Sequence, residues 1–229
     1  MVKTVMKRIA LPRTWAVPRK SLERESRTFI SRPNPGKSYL LSVAINTFLK
    51  ELTPTAHTRK EVKHILKTRT VLVNGTRVKD EKFPVGLFDV VSLVEDDQNY
   101  RLTLNIKGKM VAEETKDVTV PRRVVNKSVL SKGRQQLNLF NGSNCIAADK
   151  VAVGDSVVLK DGKVSKTYPL VAGANIMLVG GKHIGKIGTV KEFKDASIFV
   201  DVDGVTLETS KKYAYVLGDA KEHIVVRSK

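Results

Sequence analysis

Residues 58–78 read TRKEVKHILKTRTVLVNGTRV, and this stretch predicts a basic helix followed by a tight hairpin. Apolar residues recur at the spacing of one buried helix face: Val62, Ile65 and Leu66. Cations recur every fourth residue on another face: Arg59, Lys63 and Lys67. Asn74-Gly75 favours a two-residue turn, because both turn positions need positive φ. Such a unit is suited to binding a polyanion, but an arbitrary basic helix is more often simply solvated, so the rest of the chain must decide.

The overall composition favours a negatively charged partner. The chain has 229 residues and a formal net charge of +18, and its length suggests more than one compact unit. Such a chain repels itself unless it meets nucleic acid, an anionic membrane or an acidic protein. The membrane alternative is weak, because no apolar run approaches the roughly 18–20 residues that span a bilayer and the first residues lack the apolar core of a signal peptide. A single cysteine, Cys145, excludes an intramolecular disulfide and a cysteine-based zinc cluster and fits the cytoplasm.

We expect residues 1–36 to form a basic, extended N-terminal tail. They hold nine Lys or Arg and two acids, a net of +7, and four prolines that break any long helix. Few of their apolar residues recur with a period, so the segment should be disordered alone and ordered along nucleic acid. Its candidate contacts are Lys7, Arg8, Arg13, Arg19, Lys20 and Arg27. Trp15 could stack on a base or pack on the next domain.

The next segment, residues 37–97, predicts a compact unit of helices and a small sheet. Residues 38–52 carry one continuous apolar stripe and predict an amphipathic helix, which precedes the basic helix at 58–68. Strands are expected at 71–73, 76–78 and 90–94, with a turn at 83–89. Between Arg59 and Lys79 there are seven Lys or Arg and one acid, so the cations of this segment are concentrated on the helix and hairpin.

Residues 98–170 predict a central small β domain with one strongly basic side or loop. Short strands are expected at 101–106, 109–112, 137–140 and 151–159. Residues 119–148 contain no acid but hold Arg122, Arg123, Lys127, Lys132 and Arg134. Thirty residues without a compensating acid favour an electrostatic contact surface over simple solvation.

Residues 171–229 predict a C-terminal small β-barrel. Five short strands are expected at 175–179, 188–193, 197–202, 205–209 and 213–217. The first two strands flank GGKHIGKIG, residues 180–188, whose glycines would let a phosphate backbone approach the main chain. Its candidate contacts are Lys182, His183 and Lys186. The loop lacks the G-x-x-x-x-G-K-[ST] spacing of a nucleotide-binding loop.

Two of these segments resemble known RNA-binding motifs. Residues 58–94 resemble the S-four RNA-binding module in the basic helix, the Val-Asn-Gly hairpin, and Pro84-Val85-Gly86 followed by Asp89. Arg69 stands where that module usually has a glycine. Residues 175–200 resemble the KOW motif, a pattern that also occurs in transcription factors. The residues at its pattern positions are Gly185, Gly188 and Val190.

The start of the chain adds a third match. It runs from Lys7-Arg8 through Leu11-Pro12-Arg13-Thr14-Trp15 to Pro18-Arg19-Lys20 and resembles the N-terminal signature of one family. That family is the archaeal and eukaryotic type of small-subunit ribosomal protein four, which carries the three parts in the same order. The short C-terminus is similar to the archaeal form. The resemblance implies an α+β, multidomain, non-enzymatic protein without a cofactor, bound to small-subunit rRNA and neighbouring ribosomal proteins in the cytoplasm.

Carried over by position, the resemblance assigns an RNA-facing set to the S-four-like module. That set, with two neighbouring cations, is Arg59, Lys60, Lys63, Lys67, Arg69, Asn74 and Arg77. Gly75, Gly86 and Asp89 fall on its structural turn positions. In the KOW-like segment, the loop from 181 to 188 matches the part that commonly meets RNA or protein. Arg13 and Arg19 match the tail, and the basic run 122–134 rests on charge alone.

Two alternatives belong to other classes. An RNA-modifying enzyme that docks through an S-four module would need a catalytic aspartate in a large mixed-sheet domain. Instead, Asp149, Asp155 and Asp161 sit in contexts typical of turns, and no His has metal-ligand spacing with Cys or carboxylates. A KOW-containing transcription factor would bind polymerase through an apolar groove, for which we see no matching domain. Co-sedimentation with small subunits or with polymerase would separate these hypotheses.

Overall fold

The computed structural model describes residues 5–19, 28–53, 55–131, 134–147, 151–160, 162–194 and 196–218. The chain divides into two compact units. The first comprises residues 1–103 and 109–118, and the second comprises residues 104–108 and 119–229. No helix among the described residues has the length and apolar character needed to cross a membrane.

The first unit combines short strands with two helical segments. Its strands are β1 (Val5–Lys7), β2 (Phe29–Ser31), β3 (Ser42–Ala44), β4 (Val71–Val73), β5 (Thr76–Arg77), β6 (Pro84–Gly86), β7 (Val90–Leu93), β8 (Gln98–Leu104) and β9 (Met110–Glu114). Its helices are α1 (Ile45–Thr47), which continues as a π-helical turn (Phe48–Leu52), and α2 (Arg59–Thr68). Two short 3₁₀ turns lie at Arg8–Ala10 and Tyr39–Leu41.

Three sheets organise this unit. β1 pairs with β2, β3 pairs with β6, and the largest sheet has the order β5-β4-β7-β8-β9. The predicted domain boundary after residue 97 falls inside this largest sheet, between β7 and β8. Buried side chains of α2 and of the strands form the core of the unit, among them Val62, Leu66 and Val71.

The predicted helix at 38–52 is wrong over its first half. Residues 42–44 form β3, paired in antiparallel register with β6, so the expected turn at 83–89 contains a strand. The pairing continues beyond β3, because Ile45 N–H donates to the Phe83 carbonyl (2.9 Å). A fully buried backbone needs a partner for each polar group, and a neighbouring strand supplies it here. The helix ends in a π turn, in which Thr53 N–H donates to the Phe48 carbonyl at 3.0 Å.

The basic helix is confirmed, and its beginning is fixed locally. Thr58 and Glu61 form a capping box, in which the Thr58 hydroxyl accepts from Glu61 N–H (3.2 Å) and the Glu61 carboxylate accepts from Thr58 N–H (3.3 Å). Val62 and Leu66 are fully buried on the opposite face. The hairpin strands β4 and β5 follow as predicted, with the Asn-Gly pair in the turn.

The described residues of the N-terminal segment are part of the first unit's core, contrary to the expected extended tail. β1 pairs with β2, and Met110 N–H donates to the Thr14 carbonyl at 2.6 Å. Buried apolar side chains support this packing: Leu11, Trp15, Val17 and Ile30. These residues lack periodicity because the segment is not one regular element, so helix and strand templates miss them.

The second unit contains two five-stranded sheets. The first has the order β12-β11-β10-β13-β14, and its strands are β10 (Pro121–Val129), β11 (Gln135–Leu139), β12 (Asn144–Ala147), β13 (Ser156–Lys160) and β14 (Lys163–Tyr168). The second has the order β18-β17-β16-β15-β19, and its strands are β15 (Asn175–Leu178), β16 (Ile187–Lys194), β17 (Ser197–Val202), β18 (Val205–Ser210) and β19 (Ala214–Gly218). Two apolar clusters lie in this unit. One includes Leu137 and Val157 of the first sheet, and the other includes Ile176 and Val200 of the second sheet together with Tyr168 of β14.

The five strands predicted near the C-terminus are all present, and 197–202 has the predicted bounds. The basic stretch after residue 119 was wrongly left without a strand: residues 121–129 form β10, the central strand of its sheet. Its cations obscured the pattern, because a sequence rich in Arg does not alternate clearly between apolar and polar residues.

Candidate nucleic-acid interface

One face of α2 presents exposed lysines while the other is buried. Lys60, Lys63 and Lys67 are exposed, and Arg77 and Lys79 are exposed just beyond the hairpin turn. Among the described residues, Lys60 and Lys67 have no ion-pair partner, and Lys63 Nζ lies 3.6 Å from Glu81. Lys79 belongs with this group, although the predicted RNA-facing set omitted it. The count of Lys and Arg between residues 59 and 79 already included it and could have identified it. We call these five residues the lysine face.

Arg59, in contrast, forms an ion pair with the carboxylate of Glu81. Its Nε donates to Glu81 Oε2 at 2.7 Å, and its Nη2 contacts the other oxygen, so the pair is bidentate. Glu81 is only 8% exposed. The hydrogen bond from Arg59 lowers the pKa of Glu81, and the same bond raises the pKa of Arg59. The charge predicted for the RNA face at Arg59 is therefore compensated within the protein.

The Asn-Gly turn is held by its own side chain. Asn74 and Gly75 have φ of +51° and +81°, as a two-residue hairpin turn requires. Asn74 Nδ2 donates to Asp89 Oδ1 at 2.8 Å, and Asn74 Oδ1 accepts from Val90 N–H at 3.0 Å. The buried Asp89 also accepts from Gly86 N–H (2.6 Å) and pairs with Lys37. Asn74 was predicted to face RNA, but its amide is occupied by structural hydrogen bonds.

Replacing Asn74 with alanine should lower the free energy of unfolding of the first unit by about 2–4 kcal/mol. The variant loses two side-chain hydrogen bonds and a residue that tolerates positive φ. Urea unfolding followed by Trp15 fluorescence measures this change. A matched Asn99→Ala control on β8 should change the stability much less, and equal losses in the two variants would contradict the structural role of Asn74.

Arg69 ends α2 without the glycine expected at this position. Its backbone is extended, with φ −97° and ψ 158°, and its N–H donates to the Ile65 carbonyl at 2.8 Å. No positive φ is needed, which explains how an arginine can occupy the site. The guanidinium donates to Asp96 at 2.7 Å and lies 3.6 Å from Glu95, so this predicted RNA contact is also locally compensated.

The N-terminal candidates divide into exposed and buried residues. Lys7, Arg13 and Arg19 are exposed, although Arg19 also donates to the Leu11 carbonyl at 2.9 Å. Arg8 is buried against Glu51 and is not available to a phosphate. Trp15 is 2% exposed, with its ring 6.2 Å from that of Tyr39, so it packs in the protein and does not offer a stacking surface. The candidates outside the described residues are Lys20, Arg27 and Lys132.

The central basic run contains one arginine with a structural role. Arg123 is 9% exposed, and its guanidinium donates to the carbonyls of Lys212 (2.7 Å) and Lys211 (3.3 Å). Burial lowers its pKa. Arg123 was predicted to contact RNA, but it joins β10 to the residues before β19. In the rest of the run Arg122 and Lys127 are half-buried, and Arg134 is exposed.

The glycine-rich loop is shaped by packing against protein and not by space for a phosphate. A Cβ on Gly185 would overlap the Asn105 carbonyl, and one on Gly188 would overlap the Asp201 carbonyl. Gly180 lies against the Tyr213 ring. At these three positions the close neighbour of the glycine is a protein atom, and Gly185 has in addition a φ of +86°, which favours glycine. Lys182 remains exposed, while His183 and Lys186 are half-buried.

The described residues hold no group of three or more His, Cys, Asp or Glu arranged as a metal site. Cys145 is buried in the cluster around Leu137, and burial raises the pKa of its thiol. A raised pKa keeps the group in the thiol form at neutral pH, in which it is a poor nucleophile. What the site offers to a ligand is therefore the positive charge of the lysine face, held on a folded surface.

Comparisons with known proteins agree with the resemblance inferred from the motifs. The model of a family described as ribosomal family S4e matches residues 96–163. Small ribosomal subunit protein eS4 of Archaeoglobus fulgidus is 30% identical over 227 residues, which cover 95% of this chain and 94% of that protein. The eS4 protein of Methanocella arvoryzae is 32% identical over 223 residues, covering 93% of each chain.

A solved structure gives the same result for the fold. The crystal structure of 30S ribosomal protein S4e from Thermoplasma acidophilum superposes with a TM-score of 0.68 at 25% sequence identity. The match covers 81% of this chain and 99% of that one. The β-rich fold and the sequence similarity over nearly the full length lead to one conclusion: the chain belongs to the family of small ribosomal subunit protein eS4.

Proposed function

We propose that this chain is a structural component of the small ribosomal subunit that binds rRNA through basic surfaces and supports subunit assembly and translation in the cytoplasm. The names of its relatives place those proteins in the small ribosomal subunit, which favours this function over a transcription factor or an RNA-modifying enzyme. The family is one of structural ribosomal proteins, and the chain is not an enzyme.

The lysine face is the single observation that carries the RNA-binding proposal. The other cations near it are compensated, Arg59 by Glu81 and Arg69 by Asp96. Three members of the lysine face, Lys60, Lys63 and Lys67, keep exposed charge on a helix whose opposite side is buried in the core. A preorganised cationic surface neutralises phosphates without ordering a flexible segment on binding, so the loss of conformational entropy is small.

The finer organisation belongs to the same proposal. We propose four segments with distinct roles: 1–36, 37–97 as the S-four-like module with β8 and β9 completing its sheet, the strands from β10 to residue 170 as the central β domain, and 171–229 as a KOW-type small β-barrel. The five antiparallel strands β15–β19 and the tightly packed glycine loop support the last assignment. Exposed cations outside the lysine face would add rRNA contacts from the other segments: Lys7, Arg13, Arg19, Arg134 and Lys182. Neighbouring small-subunit proteins are the expected protein partners.

Replacing Lys60 and Lys67 together with alanine should weaken binding to small-subunit rRNA roughly 10–100-fold near 100 mM salt. The slope of log K against log salt should also become shallower, by about one for each lysine that binds a phosphate. Filter binding over a salt series measures both quantities. Thermal unfolding should be nearly unchanged, because both side chains are exposed.

Two comparison variants make this experiment specific. Arg59→Ala removes a charge that Glu81 already balances, so it should change the slope less than either lysine substitution. Lys163 and Lys194 are exposed in the second unit, and their double alanine variant matches the change in net charge. If this control lost as much affinity as the Lys60/Lys67 variant, binding would depend on net charge and not on the lysine face.

A further inference from the structure

A cavity of about 310 Å³ lies in the first unit beside β2, α1 and the beginning of α2. Its size is at the lower end of the range for small-molecule sites. The lining residues that matter here are Phe29, Asn46, Thr47, Lys50 and Arg59. None of the motifs that led to the proposed function includes this cavity, and Arg59 alone connects it to the predicted RNA-facing set.

Two polar side chains in the cavity wall have atoms without a partner. Asn46 is 6% exposed, and its Nδ2 donates to Ser31 Oγ at 2.7 Å, while its Oδ1 meets no donor among the described residues. Thr47 is 2% exposed, and its hydroxyl likewise has no partner there. A buried polar atom without a hydrogen bond costs about 1–3 kcal/mol, so such atoms commonly mark the place of a ligand or water.

The same cavity offers an exposed aromatic ring. Phe29, which lines the cavity, is 59% exposed. Lys50 and Arg59 line the cavity on the helical side. Glu51 also lines it, but its carboxylate is neutralised by Arg8 and by Lys50, whose Nζ lies 3.1 Å away. Arg59 is paired with Glu81 in the same way, so the charged groups that line the cavity on the helical side are already balanced within the protein.

We propose that this cavity binds one unstacked nucleotide of single-stranded rRNA. The base stacks on Phe29, and an N–H on its edge donates to Asn46 Oδ1. Proteins read single-stranded RNA with this combination of an aromatic platform and a base-edge hydrogen bond. The inference rests on the proposed rRNA binding and deepens it, since the lysine face contacts phosphates and carries no information about bases.

Phe29→Ala in the full chain tests the stacking contact. Affinity for small-subunit rRNA should fall about tenfold, as expected for the removal of one base stack, with no change in the slope of log K against log salt. Phe29→Tyr keeps an aromatic platform and should retain the wild-type affinity. Leu40→Ala is the matched control, because Leu40 is 57% exposed in the same unit but does not line the cavity.

A short synthetic RNA that copies the segment protected by the protein from nuclease gives the second readout. Abasic substitutions along it should reveal one nucleotide whose base the wild type needs, and Phe29→Ala should be insensitive at that nucleotide. Equal sensitivity in the two proteins, or unchanged affinity of Phe29→Ala, would overturn the nucleotide site while leaving the proposed function intact. Poor subunit incorporation of Phe29→Ala with unchanged rRNA affinity would assign the cavity to a protein partner and also overturn it. A wild type that neither binds nor protects rRNA would overturn both proposals.

Discussion

The affinity of the full chain for naked small-subunit rRNA is expected to fall roughly 10³–10⁵-fold between 50 and 200 mM salt. This range corresponds to a footprint of about 6–10 phosphates, whose counterions are released on binding. The net charge of +18 and the lysine face make phosphate neutralisation the main source of affinity. The effect is large because the exposed lysines are fixed on a folded unit and act together.

Filter binding with a salt titration measures this dependence, and circular dichroism at both salt concentrations checks that the fold is unchanged. An affinity that barely moves over the range would remove the electrostatic mechanism. In that case base contacts, including the proposed stack on Phe29, would have to supply most of the binding free energy.

Gly185→Ala should destabilise the second unit by about 2–5 kcal/mol. Gly185 has φ +86°, which costs an alanine about 1–2 kcal/mol, and overpacking adds about 1–3 kcal/mol. The overlap would be with the backbone carbonyl of Asn105, which cannot move aside as a flexible side chain can. Gly185 N–H also donates to the Leu178 carbonyl at 2.7 Å, so any shift disturbs β15. Urea unfolding and hydrogen exchange of the β15–β19 amides measure the loss.

Gly204→Ala provides the matched control for this substitution. Gly204 has φ +81°, nearly the same as Gly185, but no atom lies near the position of its Cβ. The Gly204→Ala substitution should therefore lower the free energy of unfolding by only the backbone contribution of about 1–2 kcal/mol. The difference between the two variants isolates the steric part, and equal losses would show that the loop can open to admit a methyl group.

The elements predicted correctly are those with local determinants. α2 begins at a capping box whose two members are three residues apart, and the hairpin turns at an Asn-Gly pair. Among the C-terminal strands, β17 alternates between half-buried and buried residues and is joined to β18 by the tight Asp203-Gly204 turn, so it can be recognised from its own residues. The positive charge of the candidate site is likewise readable along the chain, because Lys and Arg remain cationic in any fold that leaves them exposed.

The errors share a different cause. β3 was mistaken for the start of a helix because its burial on both sides imitates a helical stripe, and only the pairing with β6 distinguishes the two. The N-terminal segment appeared too polar to fold, but Leu11 and Trp15 are buried, and Trp15 forms a β-bridge with Met110, which lies much later in the chain. Burial of this kind depends on contacts with residues far away along the chain, and a short stretch of sequence does not include them.

For the candidate site, the sequence alone determined the net charge, the cation-bearing helix and the turn that follows it. Only the tertiary structure decided which cations are free to meet RNA. Arg59 is balanced by Glu81, Arg69 by Asp96, and Arg123 is turned inward to the carbonyls of Lys211 and Lys212. These partners lie between 22 and 89 residues away along the chain and meet only on folding. Coulomb attraction and hydrogen bonding act at distances of a few ångströms, so the fold, not the order of residues, sets the surface charge that a polyanion meets.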